Sequence, residues 1–290
     1  MSIAKKNESW FYDSAAGALL RRVLVITSVL VIAFFLLFPI YWIVVTSLKT
    51  TGEIQAIPPT VFPETFSFEG YQRSFDRKPF EQYIFNSLVI SISASILAIA
   101  VGTPAAYAFS RRKFSAKGVF MSLLLASLMF PGAAIMVPVW ELMDAIHLHN
   151  NRFALVLLYA AMTAPFVVWL MKGFFDDFPE SLLDAAKIDQ CSPYEQFRYV
   201  VAPMAKSPII ASFIFCFLLA WNELVFALVL LANEHKYTVP VGLLSFLTGF
   251  NVQWNHAMAA SIVVSIPVLL GLTYIQKYIA QGITGGAVKK

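Results

Sequence analysis

Hydrophobic positions along this chain come in long blocks separated by shorter polar connections. Six blocks, at about 23–48, 84–109, 119–143, 153–171, 208–231 and 257–279, reach the roughly 20 mainly apolar residues that a helix needs to cross a bilayer core. The pattern predicts an all-α, polytopic membrane protein with six transmembrane helices. The first block is too long for a signal-peptide core and has no clear small-residue cleavage site behind it, so it is expected to stay in the mature protein. The third contains Pro131 and Pro138. Neighbouring groups in a bundle can satisfy the carbonyls that a proline frees, so one kinked span is expected there and not two elements.

Composition agrees with this picture. With 59% hydrophobic and 13% charged residues among 290, the chain has too little charge to cover a soluble domain. The net charge of +4 comes from basic residues beside apolar blocks, which points to membrane anchoring and away from nucleic acid. Their distribution predicts orientation. With the N-terminus inside, fifteen of the 21 lysines and arginines fall on cytoplasmic connections, and the Arg111-Arg112-Lys113 turn is the clearest marker. The expected organisation is a cytoplasmic N-terminus (1–22), a six-span domain (23–281) and a cytoplasmic tail (282–290).

Candidate chemistry on the chain itself is sparse. Cys191 lies in a polar stretch and Cys216 in an apolar block, so no disulfide is expected. No residues have metal-ligand spacing, and His147-x-His149 reads as a solvated turn. There is no phosphate-binding loop and no nucleophile–base constellation, so no enzyme activity is expected of this chain.

The polar segment from about 174 to 207 is organised. Asp177-Phe-Pro-Glu180 has the elements of a capping box, with Leu182, Ala185 and Ala186 as a narrow apolar face behind it. Ser192-Pro193-Tyr194-Glu195 repeats the signature. Phe197, Val200 and Val201 form its stripe, and Pro203 is expected to close the helix. Two short helices should therefore meet at Asp189-Gln190-Cys191. One reading is a docking surface for a cytosolic partner; the other is a connector packed beneath the bundle.

Trp221-Asn222-Glu223 lies midway along the fifth block. An ionisable residue at that depth is costly and should face a cavity, a partner or another polar group. Aromatic, amide and carboxylate groups suit a sugar site, but a helix-breaking network within the chain is equally compatible. The connection at about 232–256 carries Tyr237, Phe246, Phe250 and Trp254, read either as a contact surface or as an interfacial aromatic belt.

Asp184-Ala185-Ala186, Gln190 and Val200-Val201-Ala202-Pro203 together resemble the "EAA" motif of ABC importer permeases, with its spacing kept. Asp184 replaces Glu, Gln190 replaces Gly, Val200 replaces Ile and Ala202 replaces Leu. The Gly position matters most, because Gly permits a left-handed turn that Gln reaches only with strain. Phe38-Pro-Ile-Tyr-Trp-Ile-Val-Val-Thr-Ser-Leu-Lys49, Asn86-Ser-Leu88, Ala106-Tyr-Ala-Phe-Ser-Arg-Arg112, Trp221-Asn-Glu223 and the tail from Gly282 are similar to the second permease of maltose-type carbohydrate uptake systems.

The resemblance covers nearly the whole chain. It implies a type I ABC importer-like permease in a bacterial inner membrane, surrounded by lipid and passing a small solute, with both termini cytoplasmic. The implied partners are a second permease subunit, two ATPase subunits and an extracytoplasmic solute-binding protein. ATP and Mg would belong to the ATPases, with no cofactor on this chain.

By resemblance, Asp184, Ala185 and Ala186 contact an ATPase, and Gln190, Pro193 and Pro203 shape that coupling segment. Thr284, Gly285 and Gly286 reach between the ATPases, and Trp221, Asn222 and Glu223 lie in the substrate pathway. Tyr237, Phe246, Phe250 and Trp254 meet the binding protein. A permease for a non-carbohydrate solute remains an alternative. A self-sufficient secondary transporter or channel is a further one, although paired broken helices are not evident.

Overall fold

The computed structural model describes residues 15–112, 114–248 and 252–287; at 15–17, 77 and 274–287 only the backbone is described. Among the described residues every regular element is helical. The chain divides into two compact units, residues 1–72 with 253–262, and residues 73–252 with 263–290.

In the first unit, α1 (Ala15–Ser47) is a 33-residue helix with Pro39 inside it. None of its most apolar window is buried within the chain, so its side chains are free for lipid or another subunit. The unit also holds α2 (Thr51–Ile54), capped by the Thr50 side chain, and the opening of the last helix. A small polar interior ties these pieces together. The Ser47 and Tyr71 hydroxyls lie 2.9 Å apart, and Asn255 Nδ2 donates to Thr51 Oγ1 at 3.2 Å.

Beyond α3 (Glu69–Arg77), which straddles the boundary, the second unit is built on α4 (Phe80–Arg111) and α7 (Arg152–Asp176). Small residues let these two helices approach closely. Ser91, Ala94, Ser95, Ala98, Gly102 and Ala106 of α4 are all buried, and a Cβ added at Gly102 would lie 2.8 Å from Val167 Cγ1. Without a hydrophobic driving force between helices in lipid, this close packing is the main source of association. Two of the hydroxyls at the contact are satisfied locally: Ser95 and Thr163 donate to the carbonyls of Ser91 and Tyr159, four residues back, both at 2.7 Å.

The third apolar block is two helices with a sharp break between them, where one kinked element was expected. α5 (Lys117–Ser127) and α6 (Gly132–Ala145) meet at 96°. Before the break the amides of Leu128, Met129 and Phe130 bond to carbonyls only three residues back. Pro131, which lacks an N–H, is extended (φ −68°, ψ 125°), and a 3-10 turn then restarts the helix.

The segment after α7 holds α8 (Glu180–Ile188) and α9 (Pro193–Met204). Next comes α10 (Lys206–Asn222), bent 73° from α9. The fifth block is interrupted too: Glu223 is extended, and α11 (Val225–Leu230) follows.

The connection at 232–256 is not an open loop, because it contains α12 (Val239–Leu247). The last helix, α13 (Trp254–Ala287), runs beyond the expected end of its span at 279 and through most of the expected 282–290 tail. Among the described residues, four helices are long and apolar enough to cross a membrane, or up to six if each bent pair is one span.

Candidate functional site

Three places concentrate polar groups in the second unit: the α8–α9 segment, a cavity beside Glu223, and the connection before α12.

The sequence anticipated the junction of α8 and α9 but not every detail around it. The Ser192–Glu195 capping box is formed, with Glu195 N donating to Ser192 Oγ at 3.3 Å and Ser192 N donating to Glu195 Oε2 at 2.7 Å. The Ser192 hydroxyl, and after it the Ser192 amide, hold the Glu195 carboxyl below its usual range. Asp177 does not cap α8. The preceding helix runs on to Asp176 and takes Asp177 as its own C-cap, while Pro179 occupies the N-cap position of α8 with no side-chain bond.

Nor does Pro203 end a helix. α9 passes through a π-helical stretch at Gln196–Val201 and continues over Ala202–Met204. A widened turn relieves the clash of a proline ring with the preceding turn of backbone and removes the need for its absent N–H.

Between α8 and α9, Gln190 sits at φ 59°. Cys191 N donates to Ala186 O and Gln190 N to Lys187 O, both at 3.0 Å, which is the Schellman pattern. The left-handed turn anticipated for a glycine is thus formed with glutamine in it.

The faces of α8 are rotated from the expected ones. Leu183 and Ala186 are buried, whereas Leu182, Asp184 and Ala185 are exposed. Ala186 therefore packs inside the chain, and only Asp184 and Ala185 of that trio point outward. Asp184 pairs with Lys187 at 2.7 Å, both side chains 62% exposed. That bond holds the lysine above its ordinary range. Large apolar side chains of the same segment are also exposed, Ile188 at 81%, Tyr194 and Tyr199 at 67% and Met204 at 49%, among charged ones that include Asp189, Glu195 and Arg198. The buried side of α9 follows expectation: Val201 is buried, with Phe197 and Val200 packed beside the same core.

A cavity of about 430 Å³ lies between α5, α6, α7 and α10, lined by Phe130, Leu158, Tyr159, Met162, Thr163 and Glu223 among others. Glu223 is largely occupied at its edge. Tyr159 OH donates to Oε2 at 2.6 Å, and the amides of Phe226 and Ala227 donate to the carboxylate at 3.0–3.2 Å. It thus satisfies free amides in the first turn of α11 from the position just before the N-cap residue, Leu224. Trp221 is buried and stacks on Phe217, while Asn222 donates to Leu218 O. The three residues cluster by a helix break, as the helix-breaking alternative required, and only Glu223 lines the cavity.

The connection before α12 is held to α4 by residues not singled out for a role. Buried Asn86 donates to the carbonyls of His235 and Tyr237, both at 2.9 Å, and accepts from Arg152. Ser87 Oγ accepts from Val239 N at 2.8 Å. Glu234 accepts from Lys78 at 2.7 Å and Tyr83 at 3.0 Å, which lowers its carboxyl pKa, the lysine contributing most.

Phe246, expected on the surface, is buried and stacked on Phe80 with ring planes 3° apart. Tyr237 is half-buried beside Tyr83. In the first unit, Trp254 is 45% exposed. Phe250 lies outside the described residues, as do the side chains of Thr284, Gly285 and Gly286.

Residues 95–285 match the model of the family described as "Binding-protein-dependent transport system inner membrane component". This chain belongs to that family. As a permease component it is a multi-pass inner-membrane protein and not itself the catalytic part of its transport system.

It is 32% identical to the trehalose transport system permease protein SugB of Mycobacterium tuberculosis, over 87% of this chain and 92% of that one. It is 30% identical to the diacetylchitobiose uptake system permease protein DasC of Streptomyces coelicolor, over 88% and 92%. A chain from the crystal structure of a bacterial ABC transporter involved in the import of the acidic polysaccharide alginate shares the fold. Its TM-score is 0.78 and its identity 23%, over 91% of this permease and 98% of that chain.

Proposed function

We propose that this permease forms one half of the translocation pathway of an ATP-driven importer for a sugar or sugar-derived solute. In this reading the 174–207 segment faces the cytoplasm with both termini, and a second permease completes the pathway. Two ATPase subunits hold the ATP and Mg, and an extracytoplasmic binding protein delivers the solute to the opposite face.

The observation that carries the reading is the outward face of α8 and α9. Asp184, Ala185, Ile188, Tyr194 and Tyr199 are exposed together on two helices whose other sides are fixed in the core. A tether has no need of large apolar side chains held out to solvent on fixed helices, and exposed apolar surface of this kind marks an interaction site. The carbohydrate class is supported by what the trehalose and diacetylchitobiose permeases are named for.

The test is reconstitution with the candidate partner subunits in proteoliposomes, with the binding protein first screened by thermal shift against sugars and non-sugar solutes. ATP-dependent uptake of a sugar that stabilises the binding protein is expected. Uptake by this chain alone would overturn the reading. Stabilisation by a non-sugar solute only would replace the solute class.

A further inference from the structure

The α8–α9 segment is joined by peptide bonds to α7 on one side and α10 on the other, so its movement would be expected to enter the bundle through those helices. Its non-covalent contacts converge on α4, three residues of which line one end of that helix. Arg111 Nη2 donates to Phe175 O at 2.8 Å and Phe178 O at 3.1 Å. Its Nη1 lies 3.6 Å from Glu180 Oε1 at the start of α8. Ser110 Oγ donates to Asp176 Oδ1 at 2.7 Å. Tyr107 meets Phe175 of α7 and Phe197 of α9 edge-on, each with ring centroids 5.4 Å apart.

The carbonyls of Phe175 and Phe178 belong to the end of α7 and the turn after it, where helical partners run out. A guanidinium matches them in charge, since a helix C-terminus attracts cations, and its Nη2 group donates to both carbonyls. The Glu180 contact adds little, because that side chain is 85% exposed. The clamp therefore acts mainly through backbone. It fixes residues 175–178 to α4, so the start of α8 cannot swing on the Asp177–Pro179 turn without carrying α4 with it. Tyr107 makes the same connection for α9 by packing.

Resting on the ABC permease reading above, we infer that Arg111 is the positioning residue that passes displacement of the coupling segment into α4, with Tyr107 as its packing counterpart. α4 and α7, locked together along their small-residue contact, then move as one body against the other walls of the Tyr159 and Glu223 cavity.

The test uses the complete complex in proteoliposomes, with Cys191 and Cys216 replaced by serine and alanine and Met162, a cavity residue, changed to cysteine. The probe is the rate of reaction with a membrane-impermeant maleimide, without nucleotide and after trapping with ATP and vanadate. Carrying the wild-type Arg111, the complex should show a rate change of about ten-fold, as expected when the reactive state goes from about a tenth of the population to nearly all of it. In R111Q, ATP hydrolysis should continue while the change falls below about two-fold. R111K, which keeps the charge but not the planar guanidinium, should fall between, at about three-fold.

A ten-fold change in R111Q overturns the role of Arg111 and leaves the transport reading standing. No change in the wild-type complex overturns the transport reading itself. Should R111Q fail to assemble, R111K decides alone, and a wild-type change in that variant overturns the inference.

Discussion

Gln190 occupies a left-handed position, φ 59°, with no Cβ-free residue to relieve it. That conformation costs a non-glycine residue roughly 1 kcal/mol, and the Schellman bonds around it offset the cost. Q190G should therefore raise the thermal unfolding midpoint of the permease in detergent, by an amount equivalent to about 1 kcal/mol at most, since glycine also gains freedom in the unfolded chain. A lowered midpoint would show that the glutamine side chain contributes more than its backbone costs.

Gly242 is the opposite case. A Cβ there would lie 2.3 Å from Tyr83 Cδ2, and Tyr83 is fully buried and bonded to Glu234. G242A should destabilise by about 1–3 kcal/mol, read as a fall in the same midpoint. In a double-mutant cycle with Y83A, which removes the ring, the G242A step should cost less than it does beside Tyr83.

At the scale of elements, the breaks matter more than the helices. Glu223 shows why. Its carboxylate accepts from two amides and a tyrosine hydroxyl, so it starts α11 where α10 stops. Losing a carboxylate that satisfies such amides costs about 1 kcal/mol, and an unpartnered buried hydroxyl adds to it. E223A should therefore lower stability by roughly 2 kcal/mol. Y159F should lower it by less, with any transport defect in the pair tracking stability. A transport defect in E223Q at unchanged midpoint would instead indicate direct contact with solute.

The second element whose geometry rests on charge is the connection before α12. Lys78 and Tyr83 hold the Glu234 carboxyl below its ordinary value of 4.5. A carboxyl with a depressed folded pKa contributes stability that is present above about 4.5 and is lost as pH falls through the folded value. The stability difference between wild type and E234Q should thus be flat near neutrality and shrink on acidification. A difference that grows as pH falls would contradict the pairing.

Such features explain what could be read in advance. Block length and charge asymmetry made the membrane class legible, and the Ser192–Glu195 box was legible because all its partners lie within four residues. The faces of α8 were not legible. With nine residues and mixed Leu and Ala, two helical registers fit the pattern, and packing against α4 and α9 selects Leu183 and Ala186. The break at Pro131 was visible as a proline, but its 96° angle depends on which groups replace the lost bonds. Arg111 was visible only as a topology marker, because its carbonyl partners lie 64 and 67 residues away.

For the whole molecule, the question is whether the outward face of α8 and α9 engages another chain. The Asp184–Lys187 pair is surface-exposed and so contributes on the order of 0–1 kcal/mol to folding. D184K places two like charges one helical turn apart, which costs a few tenths of a kcal/mol. Neither number threatens insertion or the bundle, since the buried side of α8 is untouched. A docked partner would feel the change far more, because an interface that pairs with a carboxylate loses several kcal/mol when it meets an ammonium instead. A185W acts on shape rather than charge, filling space beside an exposed alanine.

Both variants should therefore insert and unfold like wild type, within about 0.5 kcal/mol, yet fail to co-purify with ATPase subunits and fail to support uptake. E180Q, altering a carboxylate with little energetic weight, should assemble normally. If D184K and A185W retained the ATPases and transported at the wild-type rate, that face would be solvent-covered in the working transporter. The apolar residues around it would then need another explanation. If they lost the ATPases at unchanged stability, the coupling surface would be located by two independent physical effects, one of charge and one of volume, on the same turn of α8.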